Sequence, residues 1–254
     1  MKKRLQPHIM CGVGDVGKYV LISGDPKRIE KIASLFSEAE KVADYRGFVT
    51  YSGELEGTKV SACSTGIGCP SAAIVVEELA NIGADTFIRV GTTGSLQPDI
   101  DIGDIIIANA AVRCDGASRS YVPAAFPAVA DCTVTQALLA AARKHKQVIH
   151  SGTVLTSDAF YGDMGTMKKW SKFNVLSVEM ECSVIFTLAM LKKLRAAAIL
   201  AVDSCPLIGI QKGEFEPNEK RGELDERVQK AIKEEIRIAT EAVSVMEKEK
   251  KNKN

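Results

Sequence analysis

Apolar positions along this chain fall into short runs separated by polar turns, and the period of the pattern alternates as the chain proceeds. Residues 18–24, K-Y-V-L-I-S-G, form an unbroken apolar run that ends at the turn signal G-D-P and predicts a buried strand. Pro26 opens the next helix, and Ile29, Ile32, Ala33 and Phe36 fall on one face of it. Residues 48–52 and 59–64 flank E-L-E-G-T and predict a hairpin, and a helix over 69–82 leads into T-F-I-R-V-G, a second buried strand. Further strands are expected at 104–108 and 148–155, with a helix around 134–145 between them. Residues 175–180 predict a strand, 182–194 a helix, 196–202 the last buried strand, and about 224–246 a long amphipathic helix.

Strands alternating with helices predict an α/β fold: a single domain over residues 1–246, with a mixed central β-sheet flanked by helices. The tail 247–254, E-K-E-K-K-N-K-N, is charged and is expected to be disordered. Residues 207–222, rich in glycine, proline and charge, are expected to form a mobile lid. The 254 residues are 46% hydrophobic, enough for a sizeable core. Lysine and arginine number 33 against 32 aspartate and glutamate, a formal charge of +1. That balance argues against a nucleic-acid partner, so any bound anion must be recognised by local arginines and backbone amides. Seven scattered cysteines without a C-x-x-C pair read as reduced thiols of a cytoplasmic protein. Three distant histidines predict no metal site, and no apolar stretch is long enough for a membrane span.

Gly12, Gly14 and Gly17 match the dinucleotide fingerprint G-x-G-x-x-G. The fingerprint works only between a strand and a helix, and here the glycines precede the first strand, so they are read as a turn. The chemistry is expected instead at the carboxyl ends of the buried strands, where α/β sheets bind ligands. Gly24 exposes backbone amides there, and Arg28 sits in a first helical turn, where the helix dipole disfavours a cation unless an anion compensates. Arg89 lies within an apolar strand and is followed by a hydroxyl-rich glycine turn that includes Thr92. Two readings stand for it: an anion site shared with Arg28, or an internal pair with Glu179 or Glu181. Those two glutamates flank Met180 at another junction. A carboxylate there suits the adjacent hydroxyls of a sugar, and the pair also resembles the two acids of a glycosidase. Asp203, ending the last strand, is either a general acid or a turn cap. Phe160 and Tyr161 are either core residues or a surface on which a flat ring stacks.

These stretches together resemble the hexameric nucleoside phosphorylases (the purine nucleoside, methylthioadenosine and uridine phosphorylases), and the purine nucleoside phosphorylases most nearly. The matching segments run in order: H-I at 8–9, G-D-P-K-R at 24–28, Y-R-G-F at 45–48, T-G-I-G-C-P-S at 65–71, R-V-G-T-T-G-S-L at 89–96, S-D-A-F-Y at 157–161, V-E-M-E-C at 178–182 and V-D-S-C-P at 202–206. The resemblance implies reversible cleavage of a nucleoside's N-glycosidic bond, with inorganic phosphate as co-substrate and no cofactor. Gly24, Arg28, Arg89 and Thr92 would bind phosphate, joined by Arg46 from a neighbouring subunit. Glu181 would hold the ribose hydroxyls, Met180 would pack on the sugar, and the neighbour's His8 would meet the 5′ end. Phe160 would stack on the base, with Glu179 beside it, and Asp203 would protonate the leaving base. In some members the acid follows a serine (V-S-D-N), whereas here it precedes one. The resemblance also implies a homo-hexamer, a trimer of dimers. Uridine phosphorylases carry a Gln-x-Arg arrangement after F-Y that this chain lacks, which favours purine nucleosides; uridine phosphorolysis and a non-catalytic nucleoside-binding role are the alternatives.

Overall fold

The computed structural model describes residues 4–212 and 219–251. Its first strand β1 (Tyr19–Ser23) is buried at every position. Val20 and Ile22 belong to one hydrophobic cluster, and Tyr19 and Leu21 to another on the opposite face. A strand covered on both faces needs apolar residues throughout, which is why it reads as a run and not as an alternation. Helix α1 (Pro26–Ala33) follows, capped by the Asp25 carboxylate, which accepts from the Lys27 N–H at 2.9 Å.

Strands β2 (Ser37–Tyr45), β3 (Phe48–Leu55) and β4 (Thr58–Ser64) are antiparallel neighbours, and β4 pairs in parallel with β1. The hairpin expected at 48–64 is present. The strand β2 before it escapes a periodicity reading because S-E-A-E-K-V-A-D-Y is a charged, mostly exposed edge. Helix α2 (Cys69–Asn81) then leads to β5 (Thr86–Ser95), which pairs in parallel with β1. The glycine turn expected after Arg89 is absent: G-T-T-G-S continues the strand, so Thr92 is a strand residue.

Strand β6 (Ile105–Cys114) runs beyond the expected 104–108. It carries Asn109 past an irregularity between Ala108 and Ala110 and ends around a buried Arg113, whose guanidinium donates to Ser118 Oγ and to the carbonyls of Val122, Pro123 and Phe126. The short elements α3 (Ala117–Tyr121), β7 (Ala128–Val129) and α5 (Met164–Ser171) have no counterpart in the sequence expectations. Helix α4 (Cys132–Ala142), β8 (Ile149–Ser157), β9 (Ser177–Glu179), α6 (Cys182–Lys192) and β10 (Arg195–Ser204) fall where the pattern places them. Helix α7 spans Glu219–Lys251, so the charged stretch expected to be disordered is helical through Lys251. Its strong helix formers continue the pattern, and Lys248 pairs with Glu56 at 3.0 Å. Of the expected lid, residues 206–208 form a 3-10 turn and Cys205 bridges Ile210, while residues 213–218 lie outside the described residues.

Among the described residues the ten strands form one mixed sheet. Strands β5, β10, β6, β8 and β9 close a circuit, because β10 pairs with both β5 and β6 while β9 bridges β8 and β5. Ala196, Ala198, Leu200 and Val202 of β10 face the cluster that includes residues of α2 and α6, and Ala197, Ile199 and Ala201 face the cluster that includes residues of α1, α4 and α7. Small side chains on β10 let both layers approach closely. No helix among the described residues is long and apolar enough to cross a membrane.

Gly17 shows what the glycines before β1 are for. A Cβ on it would strike the backbone of Lys59 and Val60, and its N–H donates to Ser61 Oγ at 2.9 Å. Gly17 therefore lets the segment before β1 lie directly on β4, while Gly14, at φ +89°, serves the turn. Gly17→Ala is expected to lower unfolding stability by about 1–3 kcal/mol, the usual cost of forcing a group into a packed region, measured by urea denaturation.

Candidate active site

One cavity of about 920 Å³ opens at the carboxyl ends of β1, β5 and β10. Gly24, Arg28, Arg89, Thr92, Phe160, Glu179, Met180, Glu181 and Asp203 all line it. Residues spread along the sequence thus converge on one space, as the strand-end argument requires.

Arg89 is the centre of the arrangement. It is 4% exposed and reaches the cavity from β5. Its Nε and Nη2 each lie 3.1 Å from Glu179 Oε2, and Nη2 lies 2.5 Å from Glu181 Oε2. Gly91 makes room for it, since a Cβ there would meet the guanidinium carbon at 2.9 Å. Burial works against the charged form of Arg89, but Glu181 and Glu179 outweigh it and hold the guanidinium protonated. The internal-pair reading of Arg89 is therefore correct, and Arg89 lines the cavity as well.

The two glutamates have different tasks. The Glu179 carboxylate is fully enclosed and accepts from Thr156 Oγ1 at 2.5 Å, from the Glu181 N–H at 2.8 Å and from the Cys182 N–H at 2.9 Å, besides Arg89. It was expected beside the base; instead both oxygens are committed inside the protein, where they fix the start of α6 and orient Arg89. Glu181 has fewer partners: Oε1 accepts from the Gly68 N–H at 2.6 Å and Oε2 from Arg89. Gly68, at φ +91°, holds a conformation that suits glycine and directs this N–H. Each Glu181 oxygen keeps acceptor capacity toward the cavity. Burial pushes its carboxyl above the ordinary glutamate range; Arg89 counters this, and Glu179, which competes for the same cation, adds to it.

Arg28 is held more loosely. Nη1 lies 3.4 Å from Ser23 Oγ and 3.3 Å from the Val90 carbonyl, and Nε lies 3.7 Å from Glu235 of α7. Asp203 owes its position to a bulge. The β10–β5 register pairs Val202 with Thr93 and Ser204 with Gly94, leaving Asp203 as the extra residue. Its Oδ1 accepts from Ser204 Oγ at 3.1 Å, and its Oδ2 lies 2.9 Å from Lys212 Nζ, which also donates to Thr92 Oγ1 at 2.7 Å. Phe160 and Tyr161 stand edge to face, 5.0 Å apart, at the cavity mouth with Ile67; they are partly or fully exposed and not core.

His8 and Arg46 do not line this cavity. His8 Nδ1 lies 2.5 Å from Glu78 Oε1, and the backbone N–H groups of His8 and Ile9 donate to Glu78 Oε2 at 3.0 and 2.9 Å. Arg46 (φ +53°) and Gly47 (φ +84°) form the two-residue turn joining β2 to β3. Three groups that hold the cavity-lining side chains were given no role from the sequence. Gly68 acts only through its backbone, and Lys212 sits in the stretch read as a lid. Glu235 left a signal, since it falls on the apolar stripe of α7 shared with Val228, Ala231, Ile232 and Ala239.

Residues 18–244 match the model of the phosphorylase superfamily. The chain is 40% identical to a guanosine phosphorylase of Halorubrum lacusprofundi over 242 residues, covering 95% of this chain and 99% of that one. It is 47% identical to a uridine phosphorylase of Thermococcus kodakarensis over 212 residues, covering 78% and 76% of the two chains. A uridine phosphorylase of Escherichia coli is 42% identical over 197 residues, 72% of this chain and 78% of that one. The crystal structure of a uridine phosphorylase from Vibrio fischeri superposes with a TM-score of 0.88 at 30% identity, covering 95% of this chain and 98% of that one. With the family model spanning nearly its whole length and nucleoside phosphorylases as its relatives, the chain belongs to the phosphorylase superfamily.

Proposed function

We propose that the protein is a purine nucleoside phosphorylase, cleaving the N-glycosidic bond of purine ribo- and 2′-deoxyribonucleosides with inorganic phosphate to give the free base and a pentose 1-phosphate. The observation that carries this reading is the convergence on one cavity of two guanidinium groups, a diol-matching carboxylate and a re-aimed aspartate. Phosphate is assigned to Arg28, Arg89 Nη1, Thr92 and the amides near Gly24, a set of charged and neutral donors suited to a dianion. Glu181 takes the adjacent ribose hydroxyls with the acceptor capacity left on its two oxygens, and Met180 packs on the sugar. As the base departs, positive charge builds on the ribosyl ring, and the held phosphate stabilises it and then captures it. Asp203 protonates the leaving base. Phe160 supplies the stacking face. Glu179 is assigned a positioning role, through Arg89 and the start of α6.

Purine preference is supported by the base end of the cavity. Residues after Phe160 contribute Tyr161 and Met167, without the paired amide and guanidinium that would read pyrimidine carbonyls. The similarity to a guanosine phosphorylase along nearly the whole chain agrees with it. Uridine phosphorolysis is the second reading, favoured by the 47% identity to the Thermococcus enzyme. Base release from inosine, guanosine, adenosine and uridine, each with and without phosphate, separates the readings. Phosphate-dependent release from purines is expected; release from uridine alone would overturn the base assignment and keep the anion site, and no release from any of them would make the protein a binder.

Asp203→Asn is expected to reduce purine phosphorolysis by about 10²-fold, and near-normal turnover of inosine would remove Asp203 from the mechanism. Arg46 and His8, outside the cavity of their own chain, are assigned to a neighbour's site in a homo-hexamer of the cytoplasm. Light scattering on active enzyme is expected to show an oligomer, and a fully active monomer would contradict that assignment.

A further inference from the structure

Helix α7 brings the Glu235 carboxylate to within 3.7 Å of the Arg28 guanidinium. Glu235 is 0% exposed, and its Oε2 accepts from the Ala201 N–H at 2.9 Å. Its Oε1 has no hydrogen-bond donor among the described residues and lies 3.7 Å from Arg28 Nε. Arg28 lines the cavity, so this buried oxygen and a bound anion would address the same cation. Charged groups around Glu235 come from three elements: Arg28 from α1, Arg89 from β5 and Asp203 from β10. On its own helix, the neighbouring Glu234 is engaged with His145 at 2.6 Å and Arg237 at 3.0 Å. Burial pushes the Glu235 carboxyl up to about 8; Arg28, the Ala201 N–H and Arg89 restrain the rise, and Asp203 adds to it. Glu235 therefore changes charge within the working range of a neutral solution.

We propose that Glu235 is a proton-linked counter-ion of the anion site: in and above its titration range the carboxylate neutralises Arg28 while no anion is bound and takes up a proton from solvent when phosphate arrives. The inference rests on reading the cavity as a phosphate site. Two negative groups on one guanidinium disfavour each other, so occupancy of the cavity shifts Glu235 toward its neutral form. When the anion leaves, the carboxyl returns its proton to solvent, and the cycle balances without any other reactant. The sign follows from linkage. At low pH Glu235 is neutral and the whole charge of Arg28 is available, so anions bind tightly; as pH rises through its titration, the carboxylate competes and affinity falls.

Sulfate is the suitable probe, because it stays dianionic across the range and contributes no titration of its own. Calorimetry on the full chain is expected to show sulfate affinity falling about tenfold between about pH 7 and about pH 9, with uptake of roughly half a proton per anion near the midpoint. Glu235→Gln keeps an acceptor for the Ala201 N–H while removing the charge, and is expected to abolish both the pH slope and the proton uptake. Glu235→Leu, which removes the polar group entirely, is expected to behave likewise. A purely structural role for Glu235 would leave the proton uptake unchanged. An equal slope and equal uptake in wild type and Glu235→Gln would overturn the inference while leaving the anion site intact. Absence of both sulfate and phosphate binding, or wild-type binding retained in Arg28→Ala, would overturn the anion assignment at Arg28 and the inference with it.

Discussion

A guanidinium enclosed in a protein requires acceptors, and those of Arg89 are carboxylates that in turn require fixed places. Arg89 imposes that condition on everything around it. To satisfy it, β9 must end beside β5, α6 must begin where Glu179 can accept its first N–H groups, and Gly68 must turn its N–H toward Glu181. Removing one partner from such a cluster leaves an uncompensated buried charge, so the parts hold one another in place. The same cluster faces open space on one side. The electrostatics that stabilise this corner of the sheet therefore also prepare a place where a polar ligand can be received without rearrangement.

Division of labour between neighbouring residues follows from the geometry of β9. Glu179 and Glu181 are two positions apart, with the same chemistry, and meet the same arginine. Both line the cavity, but one has both oxygens engaged by the scaffold, whereas the other, the N-cap residue of α6, retains capacity to accept. Their hydrogen-bond partners separate them, a property that sequence spacing does not carry. Asp203 and Lys212 form a comparable polar contact at the far wall, placed by a strand irregularity and by the segment following the last strand.

Much of the fold is legible in the sequence because the central strands are apolar on both faces, which leaves little ambiguity about burial. The residues that were misread share a cause. Strand β2 is charged and exposed, so no hydrophobic period marks it. The G-T-T-G-S segment looks like a turn by composition, yet sheet pairing with β10 overrides that local preference. The end of α7 looked too charged to be ordered, but Lys248 and Glu56 tie it to the β3–β4 turn. For the site, motif order assembled the cavity-lining residues, whereas the interior commitment of Glu179 and the approach of Glu235 to Arg28 depend on tertiary neighbours. His8 and Arg46, named from resemblance, are placed outside the cavity of their own chain.

The bulge that isolates Asp203 links the direction of an acidic side chain to chain length at one point. In a strand, which face a side chain presents is a matter of parity, so substitution changes the chemistry at a position but not its direction. An extra residue between Val202 and Ser204 changes direction without altering any side chain. In the related pattern V-S-D-N the acid follows the serine, one place later than in the V-D-S of this chain. At this edge of the sheet, insertion or deletion of one residue would re-aim the acidic side chain at the cavity, while the closed strand circuit keeps the rest of the architecture fixed.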